Sequence, residues 1–274
     1  MRSLFKMSTA LALLALDVVG AQAQPVTRLS TKAPELVSPA YDWSGFYVGA
    51  NLGGQWANAR NSAFTSFDNN FILPSAIAIF NGMLPSKLSP SGLVGGVHGG
   101  YNWQISSILF GVEADFDGLS GSKKRSVSGE LAPTGYGNTF QFEDRASARW
   151  MSTVRARAGV LATDRLLIFA TGGVAFSSWQ LSHSFIGGPN LFVPAATFVA
   201  ETTRAGWVVG GGVEYALNSN WFVGAEYLHA DFGKATSVLN APSTFPAYTT
   251  QFTYHAALSE DLARFRISYK IGSN

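Results

Sequence analysis

Apolar and polar residues alternate one by one through several glycine- and aromatic-rich stretches of this chain. The stretches come in pairs. Over 92–105, Leu93, Gly95, Val97, Gly99, Tyr101, Trp103 and Ile105 fall on one face, and Val94, Gly96, His98, Gly100, Asn102 and Gln104 on the other. A strand patterned this way lies between two different solvents. Eight strands are predicted, at 44–57, 91–105, 107–121, 146–161, 165–181, 203–216, 220–233 and 261–271. Within pairs the connections are short, around Ser106, through Ala162-Thr163-Asp164-Arg165 and through Leu217-Asn218-Ser219-Asn220, all tight-turn residues. The other four are long, at 58–90, 122–145, 184–202 and 234–260. Short-long alternation is what an up-and-down meander gives when one end faces a crowded periplasm and the other the outside. In a compact soluble domain, four loops this long would count against the assignment.

The faces follow from parity. Outward are Phe46, Val48, Ala50, Leu52 and Trp56 in the first strand; Ile108, Phe110, Val112, Ala114 and Phe116 in the third; and Trp150, Val154, Ala156, Ala158 and Val160 in the fourth. Trp207, Val209, Val213 and Tyr215, then Trp221, Val223, Ala225 and Tyr227, then Phe265, Ile267, Tyr269 and Ile271 continue the outward set. The fifth strand is apolar on both faces, and its parity stays open. Aromatics gather at the ends of the outward rows. Trp43, Phe46, Tyr101, Trp103, Phe110, Phe169, Tyr215, Trp221 and Tyr269 mark the short-turn end; Trp56, Phe116, Trp150, Trp179, Trp207 and Tyr227 mark the long-loop end. Two girdles are expected, because amphipathic rings sit best at the headgroups of a bilayer. The expected fold is therefore all-β: an eight-stranded antiparallel up-and-down transmembrane β-barrel over 43–274.

The inward face carries opposed charges. Glu113, Asp115, Asp117, Glu214 and Glu226 are acidic; Arg149, Arg155, Arg157, Arg264, Arg266 and Lys270 are basic. Eight strands leave an interior that side chains just fill. A lone ion there is costly. Glu113 and Asp115 are expected to meet Arg155 and Arg157 on the neighbouring strand, and Glu226 to meet Arg264 or Arg266, with Glu214 completing the network.

Composition narrows the classes. Arg2 and Lys6, an apolar run at 7–16 and Ala21-Gln22-Ala23 predict a secretory signal over 1–23. Pro25, Pro34 and Pro39 among Thr, Ser and Lys predict an extended periplasmic tail over 24–42. The formal net charge is +2, and no basic block marks a nucleic-acid partner. There is no cysteine, hence no disulfide, thiolate metal site or thiol nucleophile. Beyond the signal no apolar run is long enough for a membrane helix, so any membrane span must be a closed barrel.

No cofactor or catalytic set is expected. His98 faces inward with no Ser or Asp beside it on its own strand, and His183, His229 and His255 lie toward loops without metal-ligand spacing. Gly95, Gly96, Gly99 and Gly100 precede no helix and no Gly-Lys-Ser/Thr; small residues on a tightly curved barrel explain them, as they do Gly172-Gly173 and Gly210-Gly211-Gly212. Two functions remain, a structural barrel closed by its charges or a narrow porin; recovery in the soluble periplasm would instead favour a lipocalin-like carrier with the apolar rows turned inward. Two long loops carry apolar runs at 71–80 and 191–200, which either extend the hairpins or offer a patch to a partner or apolar ligand.

Trp43-Ser44-Gly45-Phe46-Tyr47-Val48-Gly49, Gly99-Gly100-Tyr101-Asn102-Trp103-Gln104, Phe110-Gly111-Val112-Glu113-Ala114-Asp115-Phe116, Ala170-Thr171-Gly172-Gly173-Val174-Ala175 and Gly224-Ala225-Glu226-Tyr227 together resemble the alphaproteobacterial outer-membrane immunogenic proteins. The resemblance covers nearly all of the expected mature chain. It implies an OmpA-like barrel acting as surface antigen and envelope stabiliser. Its expected partners are outer-membrane lipid and lipopolysaccharide, the β-barrel assembly machinery, and a host or surface partner at the long loops. Some members are described as porins and some as haem binders, and no ligand site is carried over. Such barrels usually end in an aromatic residue, whereas this sequence ends Tyr269-Lys270-Ile271-Gly272-Ser273-Asn274; Tyr269 is expected to stand in.

Overall fold

The computed structural model describes residues 41–67, 82, 87–130, 139–187, 196–242 and 249–272. The expected signal, the tail up to residue 40, the apolar run at 71–80 and residues 191–195 lie outside the described residues.

The strands are β1 (Gly45–Phe67), β2 (Ser91–Ile105), β3 (Ile108–Leu119), β4 (Ser122–Glu130), β5 (Thr139–Thr163), β6 (Leu166–Gly187), β7 (Ala196–Ala216), β8 (Trp221–Pro242) and β9 (Thr249–Ile271). All pair antiparallel with their neighbours, in the order β3-β2-β1-β9-β8-β7-β6-β5-β4. β3 and β4 both pair with β5, so they form one stave bent at Ser120-Gly121. The β3–β5 pairing also closes the ring. The result is an eight-stave antiparallel barrel.

The short connections behave as their residues require. Ser106 takes a left-handed conformation (φ 57°), as the first central residue of a primed hairpin turn must. Thr163 Oγ1 accepts from the Leu166 N–H at 3.1 Å, and Asn218 Oδ1 accepts from the Asn220 and Trp221 N–H groups at 3.0 and 2.9 Å.

The long connections differ from expectation. Most of 58–67, 139–145, 182–187, 196–202, 234–242 and 249–260 is strand, not loop. The cause is a change of solvent along each stave. Below the Trp56 level polar groups point in; above it the same inward row turns mostly apolar, with Ala57 and Ala59 on β1, Leu258 and Ala256 on β9, and Leu228, Ala230 and Phe232 on β8 all buried. The outward row turns polar at the same height, as at Asn58 and Arg60. A search for apolar-out strands stops where the phase inverts, though the backbone ladder continues.

The closing seam between β1 and β9 needs a residue without a side chain. A Cβ on Gly53 would lie 2.0 Å from the Ala263 carbonyl oxygen and 2.6 Å from Arg264 Cα. Gly53→Val should cost about 1–3 kcal/mol through overpacking. A lower midpoint in guanidinium unfolding, followed by tryptophan fluorescence, is the check.

Candidate functional site

The lumen is built in three layers. The middle layer is ionic. Alternation on β3, β5, β7, β8 and β9 aims Glu113, Asp115, Asp117, Arg155, Arg157, Glu214, Glu226, Arg264 and Arg266 inward, and all are buried. Arg155 is the hub. Its guanidinium reaches Glu113 at 2.5 Å, Asp115 at 2.7 Å and Glu226 at 2.7 Å. Arg157 reaches Glu214 at 2.6 Å and Glu113 at 3.3 Å. Arg264 reaches Asp115 at 2.6 Å and Glu226 at 2.9 Å, and also pairs with Asp117. Arg266 reaches Glu226 at 3.1 Å and Glu214 at 3.8 Å, and also pairs with Glu113.

The ion pairs are surrounded by neutral partners. Tyr47 donates to Glu113 at 2.7 Å and accepts from Arg157 at 2.9 Å. The Arg157 guanidinium lies 4.2 Å from the centroid of the Phe169 ring, a cation–π contact. Thr153 donates to Asp115 at 2.8 Å. Partners of this kind offset part of the cost of burying charge.

Sequence parity reaches eight of these nine residues as a network. Asp117 sits two residues past Asp115, facing the same way, and the same parity argument extends to it. Tyr47 is likewise inward by parity, but parity gives it no role. Glu260, read as loop, is a buried lumen residue of β9 whose Oε2 lies 3.4 Å from Ser177 Oγ.

Apolar layers lie on either side of the charges. At the short-turn end, Tyr41, Trp43, Tyr47, Leu109, Leu167, Phe169, Ala216 and Phe222 form one cluster. At the long-hairpin end, Met151, Trp179, Leu181, Val208, Leu228, Phe232 and Leu262 belong to another. Three expected girdle aromatics are therefore not on the outside. Trp43 (2% exposed), Phe169 (5%) and Trp179 (0%) all point into the lumen. Trp43 lies before β1 and so outside its alternation: its backbone N–H donates to Gln104 Oε1 at 2.8 Å, and its ring packs edge-on against Phe222. For Phe169 and Trp179 the reason is the parity of β6, now decided by Ile168, Val174 and Phe176, which face out.

Tyr41 and Asp42, assigned to the tail, belong to the short-turn end of the barrel instead. Lys270 Nζ donates to the Asp42 carbonyl. Partial burial works against the Asp42 carboxylate, but hydrogen bonds from Ser44 and the Lys270 ammonium hold its pKa below the usual range. Arg149, expected inside, is exposed and pairs with Glu201 at 2.9 Å. A register shift between Ala148 and Trp150 turns it outward. His183, expected near a loop, is buried with Nδ1 2.7 Å from Asp144.

The outside carries a belt of exposed apolar side chains: Phe46, Val48, Leu52, Val97, Val112, Val154, Val209, Phe265 and Ile267 among them. Trp103, Trp221 and Tyr269 lie at one margin, and Trp56, Trp207 and Tyr227 at the other. Trp150 stacks on Phe116 at that second margin, centroids 5.7 Å apart. An exposed apolar surface that encircles the molecule has no stable aqueous solution.

The family model described as the outer membrane protein beta-barrel domain matches residues 9–257. The chain belongs to this family. Among its relatives is the 31 kDa outer-membrane immunogenic protein of Brucella melitensis, 34% identical over 72% of this chain and 75% of that one. The 22 kDa outer membrane protein of Rhizobium leguminosarum is 28% identical over 72% of this chain and 67% of that one. The solved structure of OprG from Pseudomonas aeruginosa is similar over 84% of this chain and 99% of that one, with a TM-score of 0.47 and 12% identity. This outer-membrane β-barrel domain thus lies in the bacterial outer membrane, with the apolar belt as its lipid face. The alphaproteobacterial resemblance read from the motifs is the relationship that these relatives bear out.

Proposed function

We propose that the protein is a non-catalytic, envelope-stabilising barrel and surface antigen whose lumen is sealed. The observation that carries this reading is the layering of the lumen. Arg155, Glu113, Asp115 and Glu226 are buried between two apolar clusters. An ion crossing would have to break multidentate pairs and then pass Trp179 or Trp43. Each guanidinium that swings aside strands carboxylates in a low-dielectric interior.

Catalysis finds no support in the lumen. His98 Nε2 lies 2.8 Å from Ser268 Oγ, a pairing that in a cleft would suggest a nucleophile and base. Here both residues are buried in the lumen wall, where a substrate carbonyl has no route to them. The antigen role is supported by the names of the relatives and by the long hairpins that rise above the belt. On this reading lipid and lipopolysaccharide surround the belt, the assembly machinery inserts the barrel, and the hairpin tips meet any host partner. Deleting 71–80 should then weaken binding to host-cell surfaces.

Conductance tests the sealed lumen. The purified barrel in a planar bilayer should give no steps of porin size. Such steps, abolished by heat unfolding, would overturn the reading.

A further inference from the structure

Just above the outer aromatic margin the wall of β1, β9 and β8 presents a basic cradle. Arg60 on β1 and Lys234 on β8 both stand opposite Ala257 of β9, so two long cations flank one methyl group across three strands. His255 occupies the next outward position of β9, with Nδ1 3.0 Å from Thr236 Oγ1. Arg60, Lys234, His255 and Ala257 line a cleft of about 350 Å³.

The backbone is irregular at this point in a way that builds the cradle. Asp231 stands opposite Ser259, and an unbroken register would put Lys234 opposite Ala256, which is buried. A bulge intervenes between Asp231 and Lys234, with Gly233 at φ 66°. The extra residue rotates Lys234 to the outside and lets Ala235 take the buried place.

Neither cation is neutralised within the wall. Arg149 and Lys124, exposed elsewhere on this rim, pair with Glu201 and Glu143 at 2.9 and 2.7 Å. Arg60 and Lys234 have no such pair among the described residues. Of the nearby carboxylates, Asp231 lines an adjoining cleft with Arg60 without pairing with it and accepts from the Gly233 N–H at 2.7 Å, and Asp261 accepts from Tyr227 Oη at 2.6 Å and lies 2.7 Å from His229 Nδ1.

Height selects the ligand. Arg60 is four residues above Trp56 on the same outward row, roughly 13 Å along the strand and, with the usual tilt, about 10 Å higher across the membrane. Aromatic girdles lie at the boundary between acyl chains and headgroups. The cradle therefore sits in the polar headgroup layer, where phosphate is the abundant anion. We propose that Arg60, Lys234 and His255 hold a phosphate monoester, supplied by the outer-leaflet glycolipid. The proposal rests on the reading that the long hairpins face the outside.

The test is retention of bisphosphorylated lipid A by the intact barrel in native mass spectrometry. The parent should hold it about tenfold more tightly than Arg60→Gln/Lys234→Gln, the loss of two partly exposed charged contacts. Arg60→Lys should keep most of the affinity. All variants should show the parent's heat-dependent gel shift, so a folding defect is visible separately. Equal retention by parent and double variant overturns the proposal. Retention of inorganic phosphate without lipid A overturns the lipid as source. Orientation has its own readout: the chain has no cysteine, so Ser243→Cys between β8 and β9 can be labelled in whole cells with an impermeant maleimide. Absence of labelling there, with labelling after lysis, defeats the orientation. Labelling without lipid retention defeats only the cradle.

Discussion

Arg155→Met should be among the most destabilising single substitutions in the lumen. The side chain is fully buried and serves Glu113, Asp115 and Glu226 at once. Methionine nearly fills its volume, so the loss is of charge and not of packing. Five carboxylates then face three guanidiniums. Breaking a buried ion pair from one side typically costs about 3–5 kcal/mol, because the orphaned charge stays desolvated. The folded band of unheated samples should disappear at a lower temperature, and the denaturant midpoint should fall. Adding Glu226→Gln returns the excess to one carboxylate and should recover part of the loss. A double variant as unstable as the single one would show that geometry, and not charge balance, governs the layer.

Phe265→Arg should be the next most damaging change. Phe265 is 77% exposed and stands across from Leu52 and Ala225, midway between the two aromatic margins. A cation on the lipid face at mid-depth costs about 2–4 kcal/mol, and the penalty falls toward zero near the interfaces. Ser259→Arg supplies the contrast. It lies on the same outward row of β9, above the Trp56 level, and should stay within about 0.5 kcal/mol of the parent. Urea titrations in lipid vesicles measure both. Equal costs for the two would show that the belt and the polar rim do not have different solvents.

Much of this was legible in the chain. Outward rows such as Phe265, Ile267, Tyr269 and Ile271 state their parity plainly, because lipid demands apolar groups at every second position. The inward charges follow from the same count, which is why Glu113, Asp115, Arg155, Arg157, Glu214, Glu226, Arg264 and Arg266 fall on one face by parity alone. Arg149 escaped because a bulge shifts parity without changing composition. Phe169 and Trp179 escaped because β6 is apolar on both faces, so alternation carries no sign there. The partners across the barrel were also out of reach: Arg264 meets Asp115 across 149 residues of sequence.

By itself the sequence determined the class, the number of staves, the short turns and the two-solvent alternation. All of these depend on neighbours along one strand, where parity is absolute. Only the tertiary structure decided where each stave ends and what lies above the belt. Above the Trp56 level the outside is water and the inside is mostly apolar, with Glu260 and the Asp144–His183 pair as buried exceptions, so the pattern inverts while the strand continues. A linear reading sees two unrelated segments there. The closed barrel shows one strand passing from lipid into water, its apolar side turning from the bilayer to the lumen.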